Sequence, residues 1–405
     1  MQIEQLKNLE SSGQLLIDLG QQPISNRFQP AGTLTPVPSF PMQLRIDMDT
    51  GLIHQGTPFP VEELRPRYDW LTCFEPEDHL DELANKLTKL TNVTQSSTFG
   101  AYSFKDDSTL RRLERLGYSK TWRIEPVMDL GILDTYANVE TYQQALTLDK
   151  ALAIRDKRGA ADVLIVRHVV EHAYDLPEFI AAIRGMVSSG GYIVWELPDC
   201  ENALTTGDCT TIWEEHLFYF TSFTFRQLLL NSGFAIIDYY SVNYPLENSL
   251  VAIVQEASIG AVPEVAGPNE IAAEVNRAKN FIDGLIIRRT AVQKKLEAWR
   301  QDHGKIAIFG AGHLSVAFLS LMNLADLIEC VVDDNPHKTG MQMPLGRLPI
   351  VSSEALYSGE ISLCLLGLNP HNQPKVIANH QQYLERGGIF GSIFPGSEHD
   401  LEQVL

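Results

Sequence analysis

The sequence is poor in cysteine and in positive charge, and each shortage excludes a class of protein. The five cysteines are odd in number, scattered, and never spaced as C-x-x-C. Neither a disulfide framework nor a cysteine-based zinc site is therefore expected. Lys and Arg number 32 against 51 Asp and Glu, which gives a formal charge of −19. Nucleic acid and anionic membrane surfaces are not expected as partners, because neutralising phosphates needs clustered cations.

Long apolar runs are also missing. No run approaches the roughly 20 apolar residues that cross a bilayer, and the opening MQIEQLKNLESSGQ has neither the basic region nor the apolar core of a signal peptide. These features predict a cytoplasmic protein. The 405 residues, 44% of them hydrophobic, suffice for two or three globular domains.

We predict an α/β protein in four segments. Residues 1–88 are Pro-rich with short alternating runs, which indicates a small β-rich module with a hairpin turning near Asp49 to Gly51. Residues 89–255 alternate strands and helices, which favours a central Rossmann-like, mostly parallel sheet with an antiparallel pair at one edge. Residues 256–301 are a linker and a long amphipathic helix. Residues 302–405 form a second, smaller α/β Rossmann-like domain.

Helical patterns were assigned at three places in the first two segments. Apolar spacing predicts helices over 75–90 and over 142–160. A further helix is predicted over 176–191, ending at the pair Gly190 and Gly191, and the apolar run ADVLIVRHV over 161–169 is predicted to be a buried strand.

The stretch TTIWEEHLFYF, residues 210–220, is the candidate active site. It follows an apolar strand, and open α/β sheets place their sites beyond the carboxyl ends of strands. His216 titrates near neutrality and is a candidate general base. Glu215 and Glu214 could orient its ring, and Trp213 lies three positions away, on the same face of a helical turn. A structural role for these residues stays open.

Two further groups of residues carry titratable side chains near strand ends. His168 and His172 are four positions apart, as in metal-binding helices, but HVVEH is not the H-E-x-x-H motif of zinc hydrolases. A pair lining the site, with one functional histidine, is the favoured interpretation. Glu125 ends a predicted strand, where a carboxylate can accept hydrogen bonds from ribose hydroxyls.

The turns that could bind a cofactor are poor in glycine. After the first central strand the chain reads FGAYSFKDDSTL, with Gly100 and then no glycine before Gly117. Asp106, Asp107 and Ser108 could bind a ligand there or merely cap the following helix. In the last segment, FGAGHLS followed by VVDDNP resembles half of a mononucleotide site, but it lacks the third glycine, so an anion site and a tight turn both remain open.

Taken together, these motifs resemble those of the three-domain S-adenosylmethionine-dependent sugar C-methyltransferases, which act on nucleotide-linked keto-deoxysugars. LIDLGQQPISNRF, ending at Phe28, is similar to the opening of that family, and ADVLIVRHVVEH is similar to a strand and turn that carry a site histidine. TTIWEEHLFYF resembles a family stretch Y-x-E-H-x-x-Y-F, and IAIFGAGHLSVAF with VVDDNPHKTG resembles the C-terminal domain. The likeness covers essentially the whole chain.

The resemblance implies roles for named residues. His216 would abstract the proton next to a keto group, Glu215 would support it, and His172 would line the pocket together with Trp213. The cofactor S-adenosylmethionine would be bound through Glu125, which would hold the ribose. The other candidate cofactor residues are Gly100, Asp106, Asp107, Ser108 and His168.

The sequence departs from the family at three places. The cysteines for structural zinc in the N-terminal domain are absent, so no zinc and no other metal is predicted. Trp213 stands where the family has tyrosine, and SFKDDS replaces the glycine-rich cofactor loop. The rival hypotheses are a relative that lost the methyl donor and works as an isomerase, lyase or hydrolase, and a non-catalytic nucleotide-sugar-binding protein. A homodimer is left open.

Overall fold

The computed structural model describes residues 13–71, 75–258 and 266–405. Most of the predicted linker and Cys73 fall outside these ranges, as do the first twelve residues of the chain. The four described cysteines are buried and free. Among the described residues, no helix is long and apolar enough to span a membrane.

Strands and helices are numbered separately along the chain. The strands are β1 (Gln14–Pro23), β2 (Gln29–Pro30), β3 (Ser39–Ile46), β4 (Ile53–Gln55), β5 (Phe99–Ala101), β6 (Thr121–Arg123), β7 (Ala161–Arg167), β8 (Val187–Asp199), β9 (Phe218–Tyr219), β10 (Phe234–Val242), β11 (Asn248–Glu256), β12 (Lys305–Phe309), β13 (Cys330–Val332), β14 (Met341–Gln342), β15 (Ile350–Val351), β16 (Ile361–Leu366) and β17 (Ile389–Ser392). The helices are α1 (Val61–Leu64), α2 (Leu80–Leu87), α3 (Asp107–Arg115), α4 (Val139–Ala145), α5 (Leu148–Arg158), α6 (Leu176–Gly185), α7 (Glu201–Thr206), α8 (Ser222–Asn231), α9 (Pro268–Asp302), α10 (His313–Leu321), α11 (Gln373–Asn379), α12 (Gln381–Glu385) and α13 (Leu401–Val404).

The central sheet confirms the predicted α/β class. Its order is β10-β11-β8-β7-β5-β6. The four strands from β8 to β6 are parallel, and β10 and β11 form the predicted antiparallel pair at one edge. Apolar side chains cover both faces of β7 and β8, as a parallel sheet between helices requires. The carboxyl ends of β5, β6, β7 and β8 therefore meet along one edge, which carries the candidate site.

Two smaller sheets flank the central one. The N-terminal hairpin is present, with β3 and β4 antiparallel and Gly51 at a positive φ of 77° in the turn. Strand β9 follows residues 213–216, which are called the WEEH residues below, and it joins this sheet in the order β1-β3-β4-β9. The C-terminal sheet, β15-β13-β12-β16-β17, is parallel throughout. The β9 pairing thus fastens the candidate site loop to the N-terminal module.

Several predicted boundaries are wrong by a few residues. The helix predicted over 75–90 is the shorter α2, and the helix predicted over 142–160 is divided into α4 and α5, because the Thr147 side chain caps a new start by accepting from the Lys150 N–H. Helix α6 ends at Gly185, and Gly190 and Gly191 lie inside β8 instead. Strand β7 ends at Arg167, since the next residue, His168, has a left-handed φ of 50°.

The long helix α9 holds the N-terminal and C-terminal parts in one core. Its buried residues Phe281, Leu285, Val292 and Leu296 recur at helical spacing and belong to a cluster that includes both outer sheets. Truncating a fully buried leucine such as Leu285 to alanine typically costs about 2–5 kcal/mol of stability. This packing keeps the C-terminal domain against the edge where the candidate site lies.

Candidate active site

The WEEH residues form a turn between the short 3₁₀ helix Cys209–Thr211 and β9. The backbone N–H of His216 donates to the Trp213 carbonyl at 3.1 Å. The rings of Trp213 and His216 lie 5.0 Å apart between centroids, edge to face. The two side chains therefore share one face, as their spacing predicted.

The N-terminal module holds this turn by its backbone. Gln55 Nε2 on β4 is within hydrogen-bond distance of the carbonyls of Trp213, Glu214 and His216, at 3.0, 3.2 and 2.8 Å. The backbone N–H of Ser25 donates to Glu214 Oε1 at 2.6 Å, and Trp213 Nε1 donates to Ser25 Oγ at 3.2 Å. The carboxylate of Glu214 is thus used to position the loop.

Gln55 and Ser25 were missed as site residues. Ser25 lies in the PISNRF stretch that carries part of the family resemblance, which was a usable signal. No sequence signal marked Gln55. It is a glutamine at the end of a short strand, and its contact with the site arises only from the pairing of β4 with β9.

His172 lies beside His216. The 3₁₀ helix Val170–His172 follows β7, and its Glu171 carbonyl accepts from the Leu217 N–H at 2.7 Å. The rings of His172 and His216 are 4.9 Å apart between centroids. Two histidines that are 44 positions apart in sequence are therefore brought together by a backbone bridge between the two loops.

The electrostatics of this pocket favour neutral groups. Burial lowers the pKa of His216 well below its usual value, and the neighbouring His172 lowers it further. Burial raises the pKa of Glu215 well above the ordinary value, and the nearby Glu140 carboxylate adds to the effect. His216 is thus an uncharged imidazole, able to accept a proton, next to a carboxyl group that retains one.

Glu140 on α4 was not predicted. Its side chain is fully buried, and its Oε1 lies 2.7 Å from His172 Nδ1. Together with Glu171, His172, Glu215 and His216 it forms a compact group of carboxylates and imidazoles. In the sequence Glu140 is one acid in the first turn of a helix, so nothing marked it out.

The C-terminal domain reaches the same place through His313. This residue begins α10, directly after the glycine turn, and its ring stacks on Trp213 at 4.6 Å between centroids with an angle of 24°. The turn is closed by its own neighbours: Asp333 Oδ2 accepts from the Ala311 N–H at 2.9 Å, and Lys338 Nζ donates to the Ala311 carbonyl at 2.6 Å. A tight turn is therefore enough to explain the glycines at this position, and no bound ligand is needed to explain them.

His168 is separated from the other two histidines by its partners. Its Nε2 lies 3.1 Å from Glu196 Oε1 and its Nδ1 lies 3.6 Å from Glu75. Burial opposes charge on this ring, but Glu75 and Glu196 outweigh it and raise the pKa of His168. His168 and His172 do not act as an i,i+4 metal pair, because His168 is committed to this buried ion cluster.

Of the six predicted cofactor residues, Asp106, Asp107, Ser108 and Glu125 follow β5 or β6, whereas Gly100 lies inside β5 and His168 follows β7. Gly100 is within β5, where a Cβ would lie 2.6 Å from the Trp122 ring, so packing alone demands glycine. Asp107 and Glu125 both pair with Arg123, at 2.8 and 3.0 Å. Ser108 lies buried in the first turn of α3.

Asp106 is a buried structural carboxyl group. It accepts hydrogen bonds from the backbone N–H groups of Ser103 and Arg167, at 2.9 and 3.1 Å. Burial raises the pKa of Asp106 to about 7 despite these bonds. Its role is therefore to tie the turn after β5 to β7.

Lys105 lies in the same turn and was not predicted. Its Nζ donates to the His168 carbonyl at 3.0 Å and to Glu75 at 2.8 Å. These contacts place two acceptors for an ammonium group at the carboxyl edge of the sheet.

Two family models match separate parts of the chain. Residues 266–395 match the family model of the C-methyltransferase C-terminal domain, and residues 105–239 match a methyltransferase domain model. The chain is therefore similar to C-methyltransferases in its C-terminal part and to methyltransferase domains in its central part. C-methyltransferase NovU of Streptomyces niveus is 24% identical over 275 residues, which are 66% of this chain and 65% of NovU. The match therefore spans slightly less than two thirds of that curated relative.

Solved structures with a similar fold share little sequence with the chain. A methyltransferase in complex with the Haloferax volcanii Trm112 activator aligns with a TM-score of 0.32 and 13% identity, over 45% of this chain and 92% of that one. The 1,6-didemethyltoxoflavin-N1-methyltransferase of Burkholderia thailandensis aligns with a TM-score of 0.30 and 9% identity, over 45% and 80% of the two chains.

Proposed function

We propose that the protein is an S-adenosylmethionine-dependent C-methyltransferase acting on a nucleotide-linked keto sugar, with His216 as the general base. The observation that supports this most is the half-buried His216, whose pKa burial and His172 lower and whose ring lies beside that of His172, in a chain with two methyltransferase family domains. A general base must be deprotonated at working pH, and burial of His216 provides that.

The residues at the sheet edge fit the cofactor in two respects. Glu125 exposes 46% of its side chain and holds a single ion pair with Arg123, so it has acceptor capacity left for ribose hydroxyls. Glu75 and the His168 carbonyl accept hydrogen bonds from the ammonium group of Lys105. They could also accept hydrogen bonds from the ammonium group of the methionine moiety. When bound, the cofactor supplies an electrophilic methyl group.

The proton transfer follows from the properties of His216. Its free nitrogen takes the proton from the carbon next to the keto group, and the C–H electron pair moves into an enolate. That carbon would then be the nucleophile that gains the new C–C bond, and the bond between the methyl carbon and sulfur would break, so that its electron pair leaves with the sulfur as a neutral thioether. Glu215, which retains its proton, can donate a hydrogen bond to the enolate oxygen or to the imidazole.

The proposed substrate carries phosphates, and the chain as a whole is acidic. Binding would therefore depend on a few placed cations. Burial and the neighbouring carboxylates raise the pKa of Glu215, and Lys105 and Arg27 lower it by a smaller amount. Burial lowers the pKa of His313, Glu75 raises it, and Lys338 lowers it further. These three cations come from the central, N-terminal and C-terminal parts of the chain, and each acts electrostatically on Glu215 or His313.

Binding and exchange experiments together test the proposal. Calorimetry with S-adenosylmethionine and S-adenosylhomocysteine should show binding, and absence of binding at millimolar ligand would contradict the methyltransferase assignment. With a nucleotide-linked keto sugar in D₂O, wild type should exchange the proton next to the keto group and His216→Ala should not. Exchange without cofactor binding would favour an isomerase or lyase instead.

A further inference from the structure

Five ionisable side chains, with His216 among them, form one group, and the contacts within the group leave several of their polar atoms without hydrogen bonds. They form two overlapping sets, Glu171 with His172 and His216, and Glu140 with His172 and Glu215. Within each set, the potential ligand atoms all lie within 4.8 Å of one another. Three carboxylates in a buried pocket need positive charge or protons to offset them.

Two of these carboxylates are buried without hydrogen bonds. Glu140 is 0% exposed and Glu171 is 2% exposed, and none of their four carboxylate oxygens has a hydrogen-bond partner among the described residues. The nearest ring nitrogens of His172 and His168 stand 3.8 Å from Glu171 Oε1. Leaving a carboxylate desolvated in this way is costly, and such groups usually mark a ligand or ion site.

Glu140 and His172 approach each other closely without forming a hydrogen bond. Glu140 Oε1 and His172 Nδ1 are only 2.7 Å apart, yet neither atom is aligned as a hydrogen-bond partner of the other. Two ligand atoms that each lie about 2.1 Å from a tetrahedral metal ion are about 3.4 Å apart, so a bound ion would move these two side chains slightly apart. Their lone pairs then point at the ion instead of at each other.

We propose that Glu140, His172 and Glu215 bind a divalent transition-metal ion such as Zn²⁺ or Mn²⁺, with Glu171 and His216 flanking the site. Imidazole and carboxylate ligands together suit these ions. Because a metal ligand must be deprotonated, the ion would take the place of the proton on Glu215, and it would offset the mutual repulsion of the carboxylates. It would also lie next to His216, where it could polarise a substrate oxygen as a Lewis acid.

This site differs from the sequence-based expectation of no metal. That expectation considered the missing cysteines and the His168–His172 spacing. His168 is held by Glu196 and Glu75, and the ligand that joins His172 is Glu140, from a different helix.

Metal binding by the full chain tests the proposal without substrate or cofactor. After treatment with a chelator, the protein is titrated with Co²⁺ and followed by visible absorption, and with Zn²⁺ by calorimetry. We expect one tight site per chain in wild type. His172→Ala and Glu140→Gln should each weaken binding by at least ~10-fold. His371→Ala, an exposed histidine in the C-terminal domain, is the matched control and should bind as wild type does.

The outcomes separate this proposal from the proposed methyl transfer. Failure of wild type to bind either ion, or unchanged binding by a folded Glu140→Gln protein, would overturn the metal site. Circular dichroism identifies a variant that does not fold, and Glu171→Gln then serves as the second probe, with weaker binding expected. Metal binding with no cofactor binding would leave the site standing and contradict only the methyltransferase proposal.

Discussion

Two buried groups of histidines and glutamates lie at the same edge of the central sheet, and they differ in how their charges are satisfied. Around Glu196, Arg167 donates two hydrogen bonds to the carboxylate at 2.5 and 3.2 Å, and His168 and His79 each approach it at 3.1 Å. Burial raises the pKa of Glu196, but Arg167 outweighs it and the pKa falls well below its ordinary value.

The group around His216 has the opposite balance. Its carboxylates repel one another, burial keeps His216 neutral, and Glu140 and Glu171 lack hydrogen-bond partners among the described residues. The comparison indicates that the Glu196 cluster stabilises the fold, whereas the His216 cluster is kept unsatisfied for a ligand. Buried polar groups without partners are most often found at functional sites.

The sharpest test of this difference is His216→Ala. We expect a loss of about 10²–10⁴-fold in methyl-transfer rate, the usual contribution of a general base. Stability should change little, because no described ion pair involves this ring. Radiolabelled methyl transfer and a thermal melt, made on the same preparation, check both halves. A variant that retains turnover would move the base elsewhere, with His172 the next candidate.

Arg167→Met should lower the stability of the protein much more than His216→Ala does. Removing one partner of a buried ion pair typically costs about 3–5 kcal/mol, because the other charge is left uncompensated. Urea denaturation gives the free energy of unfolding. Arg155→Met removes an exposed pair with Asp156 and is the matched control, for which a change within about 0.5 kcal/mol is expected. Equal effects in the two variants would contradict a structural role for the Glu196 cluster.

Gln55→Ala should affect both properties moderately. Its amide is the donor shared by three carbonyls of the WEEH turn, and a buried acceptor left without a donor costs about 1–3 kcal/mol. The turn would loosen, so kcat should fall along with stability. Gln43→Ala on the neighbouring strand β3, which loses only a surface hydrogen bond to Asp18, provides the control.

The pH profile should show the smallest effect and still distinguish the two groups. The folded-state pKa of His216 lies below 6.5, so the acid limb of kcat/KM should also lie below pH 6.5. His168 has a raised folded-state pKa, so its stabilising contribution is present below pH 6.5 and is lost as the pH rises through the folded value. Rate profiles and unfolding free energies between pH 5 and 9 test both signs. An acid limb at or above pH 6.5 would contradict a buried neutral base.

The fold class followed from local patterns. The buried run of β7, the alternating hairpin around Gly51 and the apolar spacing of α9 each reflect short-range physics of strands, turns and helices. Helix ends were less accurate, because the cap at Thr147 and the left-handed backbone of His168 compete with the periodic pattern at single positions.

The candidate site was only partly predictable. TTIWEEHLFYF named His216, Glu215 and Trp213, and VRHVVEH named His172. Glu140 and Gln55 carry no local signature, and Ser25 and His313 lie in quoted motifs that did not show their contacts with Trp213. The packing of Gly100 against Trp122 likewise becomes apparent only in the sheet, and its role toward the cofactor stays a prediction.

The sequence by itself therefore determined which elements form and which residue types are available for chemistry. The tertiary structure decided which histidine is neutral, which carboxylates are paired, and which domain covers the site. Those properties depend on burial and on distances of a few ångströms between residues far apart in the chain, and periodicity along the chain contains neither.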